Sequence, residues 1–170
     1  MADELTVRFK RVNDEVFYAP GGVVTVNRSD VEALKTQALQ NPRKRARICV
    51  HSGVDDTLHE MLIVHAKNIF VRPHKHISKS ESFHIMEGVL NIILFNDTGD
   101  VVRVIELSEK GNFFYRLSDS LFHTVVPVSD VVVFHETTNG PFNREDTIFA
   151  TWSPDEENTE AQKSYLKDSF

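Results

Sequence analysis

The stretch Pro73-His74-Lys75-His76-Ile77-Ser78-Lys79-Ser80-Glu81 decides how this chain folds and where its chemistry lies. Two histidines separated by one residue on a strand point to the same side, because side chains alternate between faces with a period of two. If that side faces the inside of a β-barrel, both imidazoles converge on one point. Glu81 can return a carboxylate to that point, and a later strand can add His123. Three imidazoles and one carboxylate suit a divalent transition metal.

The composition describes an ordered, acidic protein. Its 170 residues predict one domain, large enough to bury a core without disulfides or structural zinc. The hydrophobic fraction is 41%, with 12 phenylalanines. A net charge of -6 provides no general attraction for nucleic acid or for an anionic membrane. We therefore expect neither as a partner.

The cysteine count and the amino terminus indicate the compartment. Cys49 is the single cysteine, which excludes an internal disulfide and is typical of a reducing environment. The first residues are acidic and lack the apolar run of a signal peptide, and no apolar run has the length of a bilayer span. The expectation is a soluble, cytoplasmic protein.

The chain reads as one domain, residues 1–170, in three parts. Residues 1–41 predict strands around Val7, at Val16–Tyr18 and at Val23–Val26, followed by a helix. Residues 42–156 predict a β-barrel, and residues 157–170 predict a tail or a short helix. No repeat or linker divides the chain.

The predicted amino-terminal helix has a start signal and a stop signal. Ser29 and Glu32 have the capping-box spacing, in which a serine oxygen and a glutamate carboxylate satisfy free backbone N–H groups. Val31, Leu34 and Ala38 form its apolar face, and Pro42 ends it because the residue before a proline avoids helical geometry.

A second short helix is predicted after Asp56, since Leu58, Met61 and His65 recur at helical spacing. His59-Glu60 resembles the start of a zinc-protease motif, but that motif needs a histidine where this chain has Ile63. We therefore expect His59 and His65 to be ordinary surface or edge residues.

From Lys67 onward the pattern is that of a β-protein. Short apolar segments alternate with turns, as in sandwiches and barrels. Gly99 can take the positive φ that a hairpin turn requires, and Gly88 permits a tight bend. The predicted strands, besides the one carrying His74 and His76, are Ser82–Glu87, Val89–Phe95, Val101–Leu107, Phe113–Leu117, Phe122–Val126, Val131–Glu136 and Ile148–Trp152.

The histidine-rich stretch resembles the cupins, which are small jelly-roll β-barrels that hold a metal near the barrel axis. His74, His76 and Glu81 stand at the spacing of the first cupin motif. Gly88 closes that motif, and His123 stands where the second motif supplies its histidine. The resemblance implies an all-β cupin jelly roll with a short N-terminal β/α extension. It also implies that these three histidines and the glutamate are the ligands of one divalent ion.

The metal itself stays open at this point. Iron, manganese, nickel, cobalt and zinc all accept such ligands, and some cupins keep the barrel without a metal. Cupins commonly pair through strand edges, so the resemblance also implies a homodimer.

Some turn positions depart from the cupin pattern. Asn68 replaces the glycine that usually opens the first motif. Ser118 and Ser120 replace the proline and glycine of the second motif, and Pro127 replaces its closing asparagine. None of these is a ligand position, so the departures concern loop geometry rather than the metal.

The resemblance is sharpest to the WbuC-type cupin metalloproteins associated with O-antigen and other surface-polysaccharide genes, over residues 41–156. Where that subgroup has asparagines, this chain has Arg47 and Cys49, so the role of those asparagines does not transfer. The resemblance does not decide the reaction. The segments that carry it are Pro42-Arg43-Lys44-Arg45 with His51, Arg72-Pro73-His74-Lys75-His76, His123-Thr124, Phe134-x-Glu136, Gly140-Pro141-Phe142 and Phe149-Ala150-x-Trp152-x-Pro154.

Arg72 is a candidate catalytic residue. It shares strand parity with His74 and His76, so alternation predicts that it also faces the interior. A buried arginine needs a partner, because an unpaired buried charge is costly. That partner is either a carboxylate, for which Glu136 is the candidate, or an anionic substrate.

Other polar residues have two interpretations each. Arg43, Arg45 and His51 either bind a phosphate or carboxylate group or belong to a solvated charge run. Tyr115 either donates a proton near the metal or lies in the core with its hydroxyl hydrogen-bonded. His84 has the opposite parity to the predicted ligands on its strand, so we expect it to face outward.

Three functions fit these residues. The first is a metal-dependent isomerase or epimerase acting on an anionic sugar or sugar-nucleotide, with Lewis-acid stabilisation of an enediolate and a basic group that moves the proton. The second is an Fe(II)-dependent dioxygenase of a small molecule. The third is a non-catalytic module that binds or senses a sugar. The word sugar rests on the resemblance alone.

Overall fold

The computed structural model describes residues 4–155, 160–162 and 164–165. Two sheets face each other in a jelly roll, and the described strands pair antiparallel except β2 with β3. The elements are α1 (Glu4–Arg8), β1 (Lys10–Arg11), β2 (Val16–Tyr18), α2 (Arg28–Gln40), β3 (Arg45–Cys49), β4 (Leu58–Ala66), β5 (His74–His76), β6 (Glu81–Glu87), β7 (Val89–Phe95), β8 (Val101–Ser108), β9 (Phe114–Leu117), β10 (Phe122–Pro127), β11 (Val131–Asn139), a 3-10 turn (Arg144–Asp146) and β12 (Thr147–Phe149).

Strand order sets which residues can meet. The first sheet has seven strands in the order β1-β2-β3-β4-β11-β6-β9, and the second has five in the order β12-β5-β10-β7-β8. The two sheets enclose a core that includes Ile63, Phe83, Ile92 and Phe134. The all-β jelly roll predicted from the sequence is confirmed.

The outer face of the first sheet is also buried, because helix α2 covers it. Leu34 and Ala38 of the helix pack with Ile48 and Val64 of the sheet in a second core. Two-sided burial explains why Leu62, Ile63 and Val64 form a continuous apolar run.

Helix α2 begins earlier than its sequence signals predict. Asn27, rather than Ser29, is the N-cap: its side chain accepts from the backbone N–H of Asp30, whose carboxylate in turn accepts from the Asn27 N–H. Both Asn27 and Ser29 are good capping residues, so the local sequence pattern does not distinguish them, and the prediction of Ser29 as the N-cap is wrong. The predicted end at Asn41 and the buried Leu34 are confirmed.

Three local predictions are wrong. Residues 58–66, predicted as a helix, form strand β4, which pairs with β3 and β11 along its length. Val7, predicted in a strand, lies in helix α1, and Val23–Val26 form no strand. In the first case the sheet on both sides outweighs helical spacing, because propensity is a weak guide when tertiary pairing competes.

Two turns explain how the cupin motif is accommodated. Asn68, at the glycine position, has φ 66°, and asparagine is one of the few non-glycine residues that enter this left-handed region readily. Gly88 has φ 84°, and a Cβ atom there would lie 2.7 Å from the Val131 carbonyl oxygen. Only glycine fits that bend.

The ends of the chain add little to the sheets. Strand β2 extends the first sheet through its parallel pairing with β3, which accounts for the predicted N-terminal β/α extension. Of the predicted tail, residues 160–162 and 164–165 are helical, and the rest lies outside the described residues. No helix within the described ranges combines the length and the apolarity needed to cross a bilayer.

Candidate metal centre and cavity

Three histidines meet at one point between the sheets. His74 and His76 lie on β5, and His123 lies opposite His74 on the neighbouring strand β10. One ring nitrogen from each lies within 4.8 Å of the other two. The His-x-His alternation and the strand pairing together produce this convergence, as the sequence predicted.

The other ring nitrogens are held in place by the protein. Nδ1 of His74 lies 2.8 Å from the Arg72 carbonyl oxygen, and Nδ1 of His123 lies 3.0 Å from the Leu121 carbonyl oxygen. Nδ1 of His76 lies 3.2 Å from the Thr147 hydroxyl. A carbonyl can only accept, so His74 and His123 donate from Nδ1, which fixes the orientation of both rings. This is the usual outer arrangement of metal-binding histidines.

Glu81 brings a carboxylate from the facing sheet next to two of these histidines. Its Oε1 lies 2.9 Å from His123 Nε2, and its Oε2 lies 3.5 Å from His76 Nε2. Glu81 Oε1 and His123 Nε2 are buried at ion-pair distance but lack hydrogen-bond alignment with each other. Two buried polar atoms without a hydrogen-bond partner among the described residues are groups that a metal ion would satisfy.

The charge states agree with a ligand set. Burial and the neighbouring charge of His123 lower the pKa of His74 to about 4, so its imidazole is neutral at pH 7. Burial opposes ionisation of Glu81, but the charge of His123 outweighs it and keeps the pKa of this carboxyl below its usual value. A neutral imidazole and an ionised carboxylate are the forms that bind metal. The residues therefore fit a divalent transition ion.

The centre lies at one side of a cavity of about 540 Å³ between the two sheets. Apolar side chains such as Ile63, Val71 and Phe134 form part of its wall. Polar side chains from β3, β6 and β11 complete it. A cavity of this size with a few polar groups is typical of a small-molecule site.

The predicted basic residues line the same cavity. Arg43 and Arg45 lie 3.3 and 2.8 Å from the two carboxylate oxygens of Glu15, a residue of the N-terminal extension. His51 also lines the cavity, and its ring stacks on His59 with centroids 4.1 Å apart. Glu15 of the extension thus holds the guanidinium groups of Arg43 and Arg45 in place at this end of the cavity. The binding role of Arg43, Arg45 and His51 stays a prediction.

Arg47 also lines the cavity, and the sequence reasoning gave it no role. Its neighbours Ala46 and Ile48 pack under helix α2. Alternation therefore directs Arg45, Arg47 and Cys49 to the opposite face. The alternation of basic and apolar residues in β3 indicates this orientation once the segment is taken as a strand.

Glu136 lines the cavity from strand β11. Burial, reinforced by the negative charge of Glu81, raises its pKa to about 8. A carboxyl in this state holds a proton at neutral pH and can donate a hydrogen bond.

Arg72 lies apart from Glu136. It precedes β5, so strand alternation does not extend to it, and its guanidinium donates to the Ala150 carbonyl oxygen at 3.0 Å. The guanidinium carbon lies 5.2 Å from the Phe149 ring centre. Arg72 is not among the described residues that line the cavity. The prediction that Arg72 faces the interior is therefore wrong. A catalytic role for Arg72 stays a prediction, and its position outside the cavity lining does not support that role.

Tyr115 is buried beside Phe83, and its hydroxyl has no hydrogen-bond partner among the described residues. Burial, with the charge of Glu81, raises its pKa above the ordinary value. It does not line the cavity, so the proton-donor role stays a prediction.

Two of the remaining histidines differ from expectation. His59 and His65, predicted at the surface, are buried with 6% and 7% of their surface exposed. They are buried because β4 is a central strand rather than a helix. His84 is exposed, as the parity argument predicted.

Comparison with known proteins supports the fold. Residues 26–107, just under half of the chain, match the family model described as a domain of unknown function, DUF6016. No curated protein matches the sequence. Among solved structures, the capsular polysaccharide assembling protein CapF from Staphylococcus aureus is similar at 19% identity and TM-score 0.51, over 64% of this chain and 32% of that one.

A recombinant oxalate oxidase in complex with glycolate is similar at 13% identity and TM-score 0.50, over 65% of this chain and 57% of that one. This chain thus spans between about a third and three fifths of the length of these two structures. At such identities the likeness establishes the fold alone, which is the cupin fold. The cupin expectation is confirmed, and the finer WbuC-type resemblance remains a hypothesis.

Proposed function

We propose that this chain is a metalloprotein that binds one divalent transition ion and acts on a small anionic sugar or sugar-nucleotide. The ligands are His74, His76, His123 and Glu81. The observation that carries the proposal is the convergence of three imidazole nitrogens within 4.8 Å, two of them on rings whose other nitrogen donates to a backbone carbonyl. Such oriented imidazole groups at the wall of a cavity are typical of a catalytic metal site.

The reaction class is isomerisation or epimerisation. A proton leaves one carbon and is then added to the neighbouring carbon in isomerisation, or to the opposite face of the same carbon in epimerisation. When bound, a divalent ion supplies Lewis acidity to a substrate carbonyl or hydroxyl. Glu136 is the cavity group suited to move the proton, because a carboxyl whose pKa lies near the working pH can both release and accept one.

Two further points support a sugar. One is the resemblance of residues 41–156 to WbuC-type proteins associated with surface polysaccharides. The other is the description of a structural neighbour as a capsular polysaccharide assembling protein. The two support the same substrate class but are weaker than the geometry, so the experiments below separate the metal from the reaction.

The first experiment is elemental analysis of protein purified without a metal-affinity tag. We expect about one equivalent of a transition metal in the wild type and none in the His74→Ala/His76→Ala double variant. The matched control is His84→Ala/His135→Ala, which removes two histidines that are not in the cluster and should leave the metal content unchanged. Equal metal in the two double variants would contradict the site.

The second experiment tests proton transfer. Sugar phosphates are incubated with the metal-loaded protein in D₂O, and carbon-bound deuterium is measured by mass spectrometry. We expect incorporation with the wild type, loss on chelation and loss in Glu136→Gln. If the bound metal is iron and oxygen is consumed without deuterium uptake, the dioxygenase alternative replaces isomerisation. Binding without either reaction would favour the non-catalytic alternative.

A further inference from the structure

We infer that Arg47 binds an oxyanion, so that the molecule the cavity accepts carries a phosphate or carboxylate group at the β3 end. This inference rests on the proposed function, because it specifies the substrate class of the same cavity. It is independent of which metal the centre holds.

The placement of Arg47 follows from its strand. Ala46 and Ile48 are buried in the core beneath helix α2, whereas Cys49 belongs to the core between the sheets. Arg47 therefore extends from the inner face of β3, where it lines the cavity.

The local charges leave Arg47 uncompensated. Arg43 and Arg45 share the single carboxylate of Glu15. The Arg47 guanidinium lies beside the Cys49 thiol, and no carboxylate in the described part of the chain lies within ion-pair distance of it. Arg47 therefore presents a guanidinium group to the cavity without a carboxylate partner among the described residues.

The other charged groups that line the cavity form no ion pair with Arg47 among the described residues. The Glu81 carboxylate lies beside His76 and His123 instead. Lys79 is paired with Asp146 at 3.4 Å. Glu136 is close enough to Arg47 for their charges to interact but forms no ion pair with it.

The chemistry of the guanidinium decides the ligand class. Its planar fork of N–H donors matches the two oxygens of a carboxylate or phosphate group and forms paired, charge-assisted hydrogen bonds with them. A neutral sugar offers no such partner. The cavity therefore has an anion-binding guanidinium at one end and the imidazole cluster at the other. Together the two ends favour a molecule that carries two different functional groups, one for each end.

The test is calorimetric titration of the protein, as purified and after dialysis against EDTA, with glucose 1-phosphate, glucuronate, inorganic phosphate and glucose. We expect Arg47→Met to weaken binding of the anions by a factor of roughly ten to one hundred. Arg103→Met, which removes an exposed arginine from strand β8, is the matched control and should bind as the wild type does. Arg47→Lys should give an intermediate affinity, because it keeps the charge but loses the fork.

The probes distinguish the two anion chemistries. Binding of glucose 1-phosphate and inorganic phosphate but not glucuronate assigns the site to phosphate, and the reverse assigns it to carboxylate. Failure of every anion to bind the wild type, or equal anion affinity in Arg47→Met and the wild type, would overturn the inference.

The outcome is separable from that of the proposed function. Dialysis against EDTA removes any anion binding that occurs through the metal, whereas binding through Arg47 persists. Metal content measured in Arg47→Met should equal that of the wild type. Protein without metal but with Arg47-dependent anion binding would refute the metalloprotein proposal and leave this inference standing.

Discussion

His65 shows that the tertiary environment of a residue, rather than its local sequence pattern, sets its burial and its pKa. Its ring is buried on strand β4, packs edge-on against Phe134 with centroids 5.2 Å apart, and has no partner for Nδ1 among the described residues. Burial, with the nearby charge of Arg47, lowers its pKa from 6.5 to about 3. The folded protein therefore holds His65 neutral where the unfolded chain would protonate it.

This arrangement predicts a pH-dependent stability. Because the folded pKa is depressed, the unfolded state binds the extra proton below about 6.5, and stability is lost as pH falls toward 3. His65→Leu removes the titrating group, so the stability of this variant relative to the wild type should rise by about 2 kcal/mol between about pH 8 and about pH 5. Urea denaturation at the two pH values measures it.

The control for this prediction is His84→Leu, which replaces an exposed histidine on strand β6. Its stability relative to the wild type should change little between the two pH values. A pH response of His65→Leu no larger than that of His84→Leu would contradict the assignment of His65 as a buried neutral residue.

At the level of elements, the start of helix α2 shows which of two suitable residues, Asn27 or Ser29, caps the helix. The Asn27 side chain accepts from Asp30, and Ser29 donates its hydroxyl to the Asn27 side chain instead of capping the helix. Asn27→Ala should therefore cost about 1 kcal/mol of unfolding free energy, and Ser29→Ala only a few tenths. Thermal or urea denaturation of the two variants measures the difference, and a larger loss for Ser29→Ala would refute Asn27 as the cap.

The residues proposed as metal ligands lie on strands of different sheets. His74 and His123 lie on neighbouring strands of the second sheet, whereas Glu81 begins β6 of the first. A metal ion bound to both sheets would link them, so its removal should loosen the whole jelly roll.

At the scale of the molecule, metal binding should therefore stabilise the fold. A ligand that binds only the folded state adds about 2.7 kcal/mol when its free concentration is about one hundred times its Kd. We expect the added metal to raise the melting temperature of the EDTA-treated wild type and to leave that of His74→Ala/His76→Ala unchanged. An equal rise in both proteins would show that the stabilising metal binds elsewhere.

Assembly remains a prediction at this scale. Strand β8 ends the second sheet, and Val102 and Val104 on it are exposed. An open strand edge is a common pairing surface, which agrees with the expectation of a homodimer. Cytoplasmic localisation likewise stays a prediction.

The sequence by itself predicted the β-architecture and the three-histidine cluster. Alternation and turn residues are local properties, so they predicted most strands after residue 67 and the shared face of His74 and His76. The expected contribution of His123 and Glu81 came from the cupin resemblance. Asn68 shows the limit of motif matching: the residue departs from the pattern, yet its φ of 66° preserves the geometry.

Only the tertiary structure decided what depends on neighbours distant in sequence. Strand β4 is a strand because β3 and β11 pair with it on both sides, although its residues recur at helical spacing. That pairing buries His59 and His65, and the covering of β3 by helix α2 turns Arg47 toward the cavity. Hydrogen bonding across a sheet and burial beneath a helix are long-range effects, and a local pattern records which face is apolar but not which partner will cover it.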